Sequence, residues 1–278
     1  LSRYKIGWFS TGRGAGSRAL LKTVQDNITA GRLDAEIEFV FCSREFGETE
    51  ATDAYLEMVE GYGIPLVKFS YQMYRAVRDM PNPDPDAPLP QWRLDYDREV
   101  MRRLEGFHPD LGVLAGFMLV TGPEMCARYD IINLHPAAPD GPAGTWQQVI
   151  WRLIETGAAT QGVKMHVAIP ELDAGPTATY CLFPIRGGPF DKLWDEIKGK
   201  TVAEIKETQG VENTLFKEIR KRGAARELPL VVATLRAFSE GRVKITPEKK
   251  VADASGALIA GYDLTAEIDA AVKDELAE

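Results

Sequence analysis

The sequence predicts an α/β fold: a mostly parallel, twisted sheet with antiparallel strands added in its C-terminal part. Three observations predict it. The chain opens with a short apolar run, Lys5-Ile6-Gly7-Trp8-Phe9, which stops at a glycine-rich turn and is followed by an amphipathic stretch. Strand, turn and helix in that order begin a doubly wound sheet. Short apolar runs then alternate with helical patterns, which implies parallel strands joined by right-handed crossovers. Finally, Leu111-Gly112-Val113-Leu114-Ala115 is apolar without alternation, as expected of a strand covered on both faces.

In chain order, the strand at 5–9 and the turn at 10–17 lead into a helix over 18–28. A strand over 36–41 and a helix over 49–61 repeat the unit, and Gly63-Ile64-Pro65-Leu66-Val67 leads into a short third strand. Pro81, Pro83, Pro85, Pro88 and Pro90 exclude a helix or a central strand, so a surface loop is expected over 81–90. A helix over 94–107 precedes the strand at 111–115, and Ile131-Ile132-Asn133 forms the next strand. A helix over 146–156, strands over 161–169 and 177–184, and helices over 202–221 and 224–239 follow. The segment 264–276 has the pattern of an amphipathic helix rich in Asp, Glu and Ala. Residues 1–245 are therefore expected to form the main domain, and 246–278 a partly helical C-terminal extension.

Composition narrows the function. The 278 residues are 45% hydrophobic, enough for a sizeable core, and 27% charged. A net charge of −8 disfavours nucleic acid, whose phosphates require a basic field. No apolar run approaches the ~20 residues that span a bilayer. The opening Leu1-Ser2-Arg3-Tyr4 lacks the apolar stretch of a secretory signal. A cytoplasmic protein with no membrane partner is expected. Cys42, Cys126 and Cys181 are far apart and form no CxxC or Cys/His pattern, so buried thiols and no metal are expected.

Three segments carry candidate chemistry. The turn at 10–17 can present backbone N–H groups to an anion, or can be a tight connection. Its Gly12-x-Gly14-x-Gly16 is followed by Ser17, not by a full dinucleotide fingerprint. The second strand ends in Cys42-Ser43-Arg44, where a nicotinamide dinucleotide would want an acid. The second segment is Asn133-Leu134-His135-Pro136. In extended chain, residues two apart point the same way, so Asn133 and His135 can share a pocket. An amide N–H₂ stabilises an oxyanion and an imidazole moves a proton near neutral pH, a pairing suited to acyl transfer. Pro136 and Pro139-Asp140-Gly141-Pro142-Ala143-Gly144 shape a loop beyond a strand's carboxyl end, where open α/β sheets bind ligands. The alternative is a structural histidine bonded to a loop carbonyl. Glu171-Leu172-Asp173-Ala174-Gly175-Pro176 is turn chemistry by itself. Were Asp173 to meet His135, its carboxylate would favour the imidazolium; spacing leaves that open.

Asp110-Leu111-Gly112-Val113-Leu114-Ala115-Gly116-Phe117-Met118, then Ile132-Asn133-Leu134-His135-Pro136, then Met165-His166-Val167 with Leu172-Asp173-Ala174-Gly175-Pro176 resemble, in order and spacing, the motifs of the folate-dependent formyltransferases. The resemblance covers roughly 4–245, and the most similar branch acts on phosphoribosylglycinamide. It implies a Rossmann-like formyltransferase fold. It also implies transfer of a formyl group from 10-formyltetrahydrofolate to that amine, in de novo purine synthesis, by direct attack through a tetrahedral intermediate and without a metal. Carried over residue by residue, it implies Asn133, His135 and Asp173 as catalytic groups. Folate would lie against Gly116, Phe117, Met118, Leu119 and Val120, against Ala138, Pro139, Asp140 and Gly144, and against Glu171. Gly14, Ala15, Gly16, Ser17, Arg18, Arg93 and Lys221 would hold the acceptor and its phosphate.

The sequence departs from the family pattern in three places. Ala224 stands where a ribose-binding glutamate is expected, and Glu227 is expected on a different helical face. Ala137-Ala138-Pro139-Asp140 replaces Ser-Leu-Leu-Pro, and Leu119 replaces an arginine. These departures leave the reaction intact and open the choice of acceptor. Formyltransferases acting on a hydroxyornithine-like amine or an amino-sugar nucleotide are alternatives, as are formyltetrahydrofolate hydrolases. The initiator-tRNA enzymes are disfavoured because their C-terminal barrel needs more residues than follow Ile245. Small-molecule substrates and a monomer or homodimer are expected.

Overall fold

Apolar strands with a glycine at each close approach build the first half of the molecule. The computed structural model describes residues 3–276 except 82 and 84–86; the expected proline-rich loop at 81–90 therefore lies partly outside the described residues. The chain divides into two compact units. One takes the chain up to Asn133 with Val167–Gly175 and Pro247–Lys249; the other takes Leu134–His166, Pro176–Thr246 and the chain from Lys250 onward.

The first unit runs β1 (Tyr4–Ser10), α1 (Ala15–Thr29), β2 (Ala35–Cys42), α2 (Glu50–Gly61), β3 (Leu66–Lys68), α3 (Tyr71–Val77), α4 (Gln91–Arg103), β4 (Leu111–Leu114), α5 (Pro123–Arg128) and the start of β5 (Ile131–His135). Its strands pair in parallel, in the order β5-β4-β1-β2-β3. Phe9, Phe39, Phe41, Tyr96, Leu114 and Ile131 meet in its core, each contributing about 1.5–3 kcal/mol by burial. At Gly112 a Cβ would lie 3.0 Å from the Ile131 side chain, which explains a glycine inside an otherwise aliphatic strand. Two boundaries differ from expectation. Helix α1 begins at Ala15, not 18, because Gly14 is extended (φ 178°) and the chain turns straight into the helix. Helix α4 spans 91–103, not 94–107, because Pro90 stands at its N-cap and the chain turns at Gly106 with φ 97°. Helix α3 was not expected; Ser70 caps it, accepting the Met73 N–H at 3.0 Å.

The second unit contains α6 (Trp146–Thr156), β6 (Thr160–Val167), β7 (Thr177–Pro184), α7 (Pro189–Glu196), α8 (Val202–Thr208), α9 (Thr214–Ser239), β8 (Val243–Ile245), β9 (Val251–Asp253), β10 (Tyr262–Asp263) and α10 (Thr265–Val272). Strands β6 and β7 are antiparallel, and β10 joins β7 in parallel. The sheet is thus mostly parallel with an antiparallel C-terminal part, as the sequence predicts. Thr145 and Gln148 form a capping box at the start of α6, and Gly157 (φ 61°) ends it. The expected helices at 202–221 and 224–239 are cut in the wrong place. The break falls at 209–213, where a 3-10 turn precedes Asn213, whose Oδ1 caps the Phe216 N–H at 3.0 Å. From there α9 runs unbroken through Gly223 and Pro229. Proline removes one helical hydrogen bond, but buried Leu230, Val231, Ala233, Thr234 and Leu235 hold this stretch in place. Helix α10 is shorter than the expected 264–276. Ile268 and Val272 are its buried side chains, and Asp269 and Glu267 pair with Arg226 and Arg236 of α9.

No helix among the described residues is long and apolar enough to cross a membrane. Cys42, Cys126 and Cys181 are buried free thiols, and burial pushes Cys42 and Cys181 up to about 12.

Candidate active site

In the first unit strand order reverses at β1, which has β2 on one side and β4 on the other. At such a point the connections leave in opposite directions and a crevice opens at the carboxyl ends. Thr11, just past β1, ties the two sides together. Its N–H donates to the Gly116 carbonyl at 3.1 Å, and its Oγ1 accepts the Met118 N–H at 2.9 Å and the Ser43 hydroxyl at 3.2 Å. Gly116 has φ 66°, and a Cβ there would lie 2.6 Å from Ser17 Oγ. Phe117 turns inward, its ring 6.2 Å from those of Phe9 and Phe41, whereas Met118 is exposed.

Gly14 is the N-cap of α1, and Ala15, Gly16 and Ser17 form its first turn; helix geometry leaves their N–H groups without intrahelical acceptors. Arg18 does not accompany them, and its Nη1 donates to the Ala51 carbonyl at 3.2 Å. A cavity of about 470 Å³ lies beside this turn, lined by Thr11, Arg13, Arg44, Met118, Leu119, Val120, Pro170 and Leu172 among others. It brings the expected 118–120 segment together with the 170–172 segment; Glu171 is exposed. Asp173 has φ 55°, a left-handed conformation that few residues with a Cβ adopt and that Asp tolerates better than most. Asn133, half-buried, pairs with Leu114 at the carboxyl end of β4.

Arg93 also lines the cavity, but its side chain is 2% exposed and its guanidinium is engaged within the first unit. Nη1 binds Asp97 Oδ1 and Nη2 donates to the Val120 carbonyl at 2.6 Å.

The second unit positions His135 and the loop after it. His135 is buried, its Nε2 lies 3.2 Å from the Pro142 carbonyl oxygen, and its ring meets that of His166 edge-on at 6.1 Å. Strand β6 braces the loop. The Gln161 amide donates to the Pro136 carbonyl at 3.0 Å and Lys164 Nζ to the Pro139 carbonyl at 3.0 Å. This holds the backbone around Ala138, Pro139 and Asp140. Gly144 (φ 107°) ends the loop before α6. Gly162 lets the loop lie close: an added Cβ would sit 2.9 Å from Ala138 Cα and 2.8 Å from the Cys181 carbonyl oxygen. Gly162→Ala is accordingly expected to destabilise the protein by about 1–3 kcal/mol, measured by denaturant unfolding.

Lys221 and Ala224 lie on α9. Lys221 is exposed, and Glu227 is bound to Arg220 seven residues away on the same helix. Ala224 lies between Lys221 and Glu227 at three-residue spacing, so Glu227 adjoins Ala224 on the helix surface and does not lie on the different face expected. Residue-by-residue reading missed His166, Lys164 and Gln161 as site-forming groups. Their signal was three polar residues in one strand whose every position from Gln161 to Val167 is buried. Among the described residues no group of three or more His, Cys, Asp or Glu could hold a metal ion.

The chain belongs to the formyl transferase family, whose model matches residues 14–185, a span that includes Asn133, His135 and Asp173. It is 33% identical to the phosphoribosylglycinamide formyltransferase of Escherichia coli (strain K12) over 157 residues, 55% of this chain and 60% of that one. It is 27% identical to the formyltetrahydrofolate deformylase of Haemophilus influenzae over 148 residues, 52% of this chain and 44% of that one. The chain thus spans about half of the length of these relatives. The structure of phosphoribosylglycinamide formyltransferase from Coxiella burnetii superposes with a TM-score of 0.64 at 20% identity, covering 94% of this chain and 99% of that one. A formyltetrahydrofolate deformylase from Burkholderia mallei gives 0.60 at 15% identity, covering 91% and 70%. At these identities the two structures establish the Rossmann-like formyltransferase fold.

Proposed function

We propose that this protein transfers the formyl group of 10-formyltetrahydrofolate to the amine of phosphoribosylglycinamide. The observation that carries this reading is the family match through Asn133, His135 and Asp173, together with 33% identity to an E. coli enzyme of that name. In the proposed reaction the acceptor nitrogen attacks the formyl carbon and a tetrahedral intermediate forms. Its oxyanion is held by the Asn133 amide and by His135 as imidazolium, and Asp173 keeps that imidazolium charged and oriented. The proton lost by the attacking amine passes to solvent through the same groups, and the C–N bond to the folate breaks as its nitrogen is protonated.

Folate is proposed to lie against Gly116 to Val120, Ala138 to Asp140, Gly144 and Glu171. The N–H groups of the 14–17 turn are proposed to bind the acceptor's phosphate, and Lys221 is proposed as a further phosphate-directed group. Ala224 supplies no hydrogen bond to a ribose hydroxyl, and Glu227 is engaged by Arg220, so hydroxyl recognition is proposed to come from elsewhere. The similarity to deformylases supports a second reading, in which water replaces the amine and formate is released.

Incubation with 10-formyltetrahydrofolate, with and without phosphoribosylglycinamide, separates the two. The transferase reading expects tetrahydrofolate only when the amine is present. Formate released without it favours hydrolysis.

A further inference from the structure

The loop that follows β4 is anchored at both ends, and the second anchor is a buried ion pair. At the near end Thr11 binds Gly116 and Met118 through backbone groups. At the far end Arg93 donates to the Val120 carbonyl at 2.6 Å, and the Gly122 N–H donates to Asp97 Oδ2 at 2.7 Å. Arg93 and Asp97 bind each other one turn apart on α4, and both side chains are under 5% exposed. Burial pushes the Asp97 carboxyl up from its ordinary range, while Arg93 and the Gly122 N–H pull it back.

Such a pair is costly to bury, and an apolar pair of similar volume would often stabilise the protein as well or better. Here its donors and acceptors go to the backbone at 120 and 122, the stretch that returns from the cavity wall to α5. Gly122 carries the same message. Its φ of −73° suits any residue, yet a Cβ would lie 2.7 Å from Asp97 Oδ2. Glycine stands there because the carboxylate needs the space.

We propose that Asp97 is a positioning residue: with Arg93 it fixes residues 120–122 and so sets the shape that 118–120 present to a ligand. That the ligand is formyl-folate rests on the function proposed above.

Two variants disturb the anchor from opposite sides. Asp97→Asn leaves one oxygen where two are used, so an amide N–H₂ faces either Arg93 or the Gly122 N–H. Gly122→Ala keeps both charges and displaces the carboxylate. Amide hydrogen exchange in the ligand-free protein reads the anchor directly. Both variants are expected to speed exchange at 118–122 by about tenfold and leave 111–114 unchanged. Equal acceleration at 111–114, or none at 118–122, would overturn the proposal.

With 10-formyltetrahydrofolate as substrate, both are expected to raise KM by about tenfold with kcat within about threefold, since loss of alignment is felt in binding first. A fall in kcat at unchanged KM would also overturn it. If the parent protein turns over no formyl-folate, the transferase reading fails and the exchange result alone decides the anchor.

Discussion

Asn133→Ala is expected to lower kcat by roughly 10²–10³-fold with the fold intact, the usual loss when one oxyanion donor is removed. Asn133 sits where β5 pairs with Leu114 at the carboxyl end of β4, and it is half-buried, so it fills little of the core. Alanine adopts the same extended backbone. Truncation therefore removes an amide from the middle of β5, at a half-buried position with little core packing. KM for the folate is expected to stay within about threefold, because a group that acts on the developing oxyanion binds the ground state weakly. Steady-state kinetics with a circular dichroism control measure this, and a kcat within threefold of the parent would remove Asn133 from the chemistry.

His135→Gln is the other large effect, an expected loss of about 10²–10⁴-fold in kcat, the range for a lost proton-transfer group. His135 also contacts the Pro142 carbonyl, so a purely structural histidine makes a different forecast. Losing it would loosen the 136–144 loop and raise KM while kcat survived. Glutamine can place its amide N–H₂ near the position of Nε2, keeping a donor for that carbonyl, and lacks a titratable ring, which separates the two roles. The loop has other braces in Gln161 and Lys164, so it is expected to persist. A variant with raised KM and near-normal kcat would assign His135 to the loop alone.

Much of this arrangement is legible in the sequence for identifiable reasons. Strand β4 and the stretches Ile6–Phe9 of β1 and Ile131–Ile132 of β5 are buried and read as short apolar runs. Helix α6 announces itself by Thr145, Gln148 and Gly157 at its ends. Asn133 and His135 stand out because polar residues end an apolar strand. Other features have no local signature. Gly223 reads as a helix break, but inside α9 it is buried, its added Cβ 3.8 Å from the Phe183 ring. Tertiary contact keeps the helix continuous there, and the true break is set by Asn213. Arg93 lies just outside the expected helix at 94–107 and Asp97 inside it, and nothing local marks the two as a buried pair. Only the fold shows them bonded to the backbone at 120 and 122, which are far away in sequence. Arg18 is likewise drawn to Ala51 by the packing of α1 beside α2. A lone basic residue carries no local sign of which way it turns.

The central claim is tested most directly by following the formyl carbon itself. The protein would be given 10-formyltetrahydrofolate isotopically labelled in that carbon, together with phosphoribosylglycinamide, and the products separated by mass. The label is expected in the N-formyl amide of the acceptor, formed by the parent and lost with Asn133→Ala. Label recovered as formate, or left entirely on the folate, would contradict it.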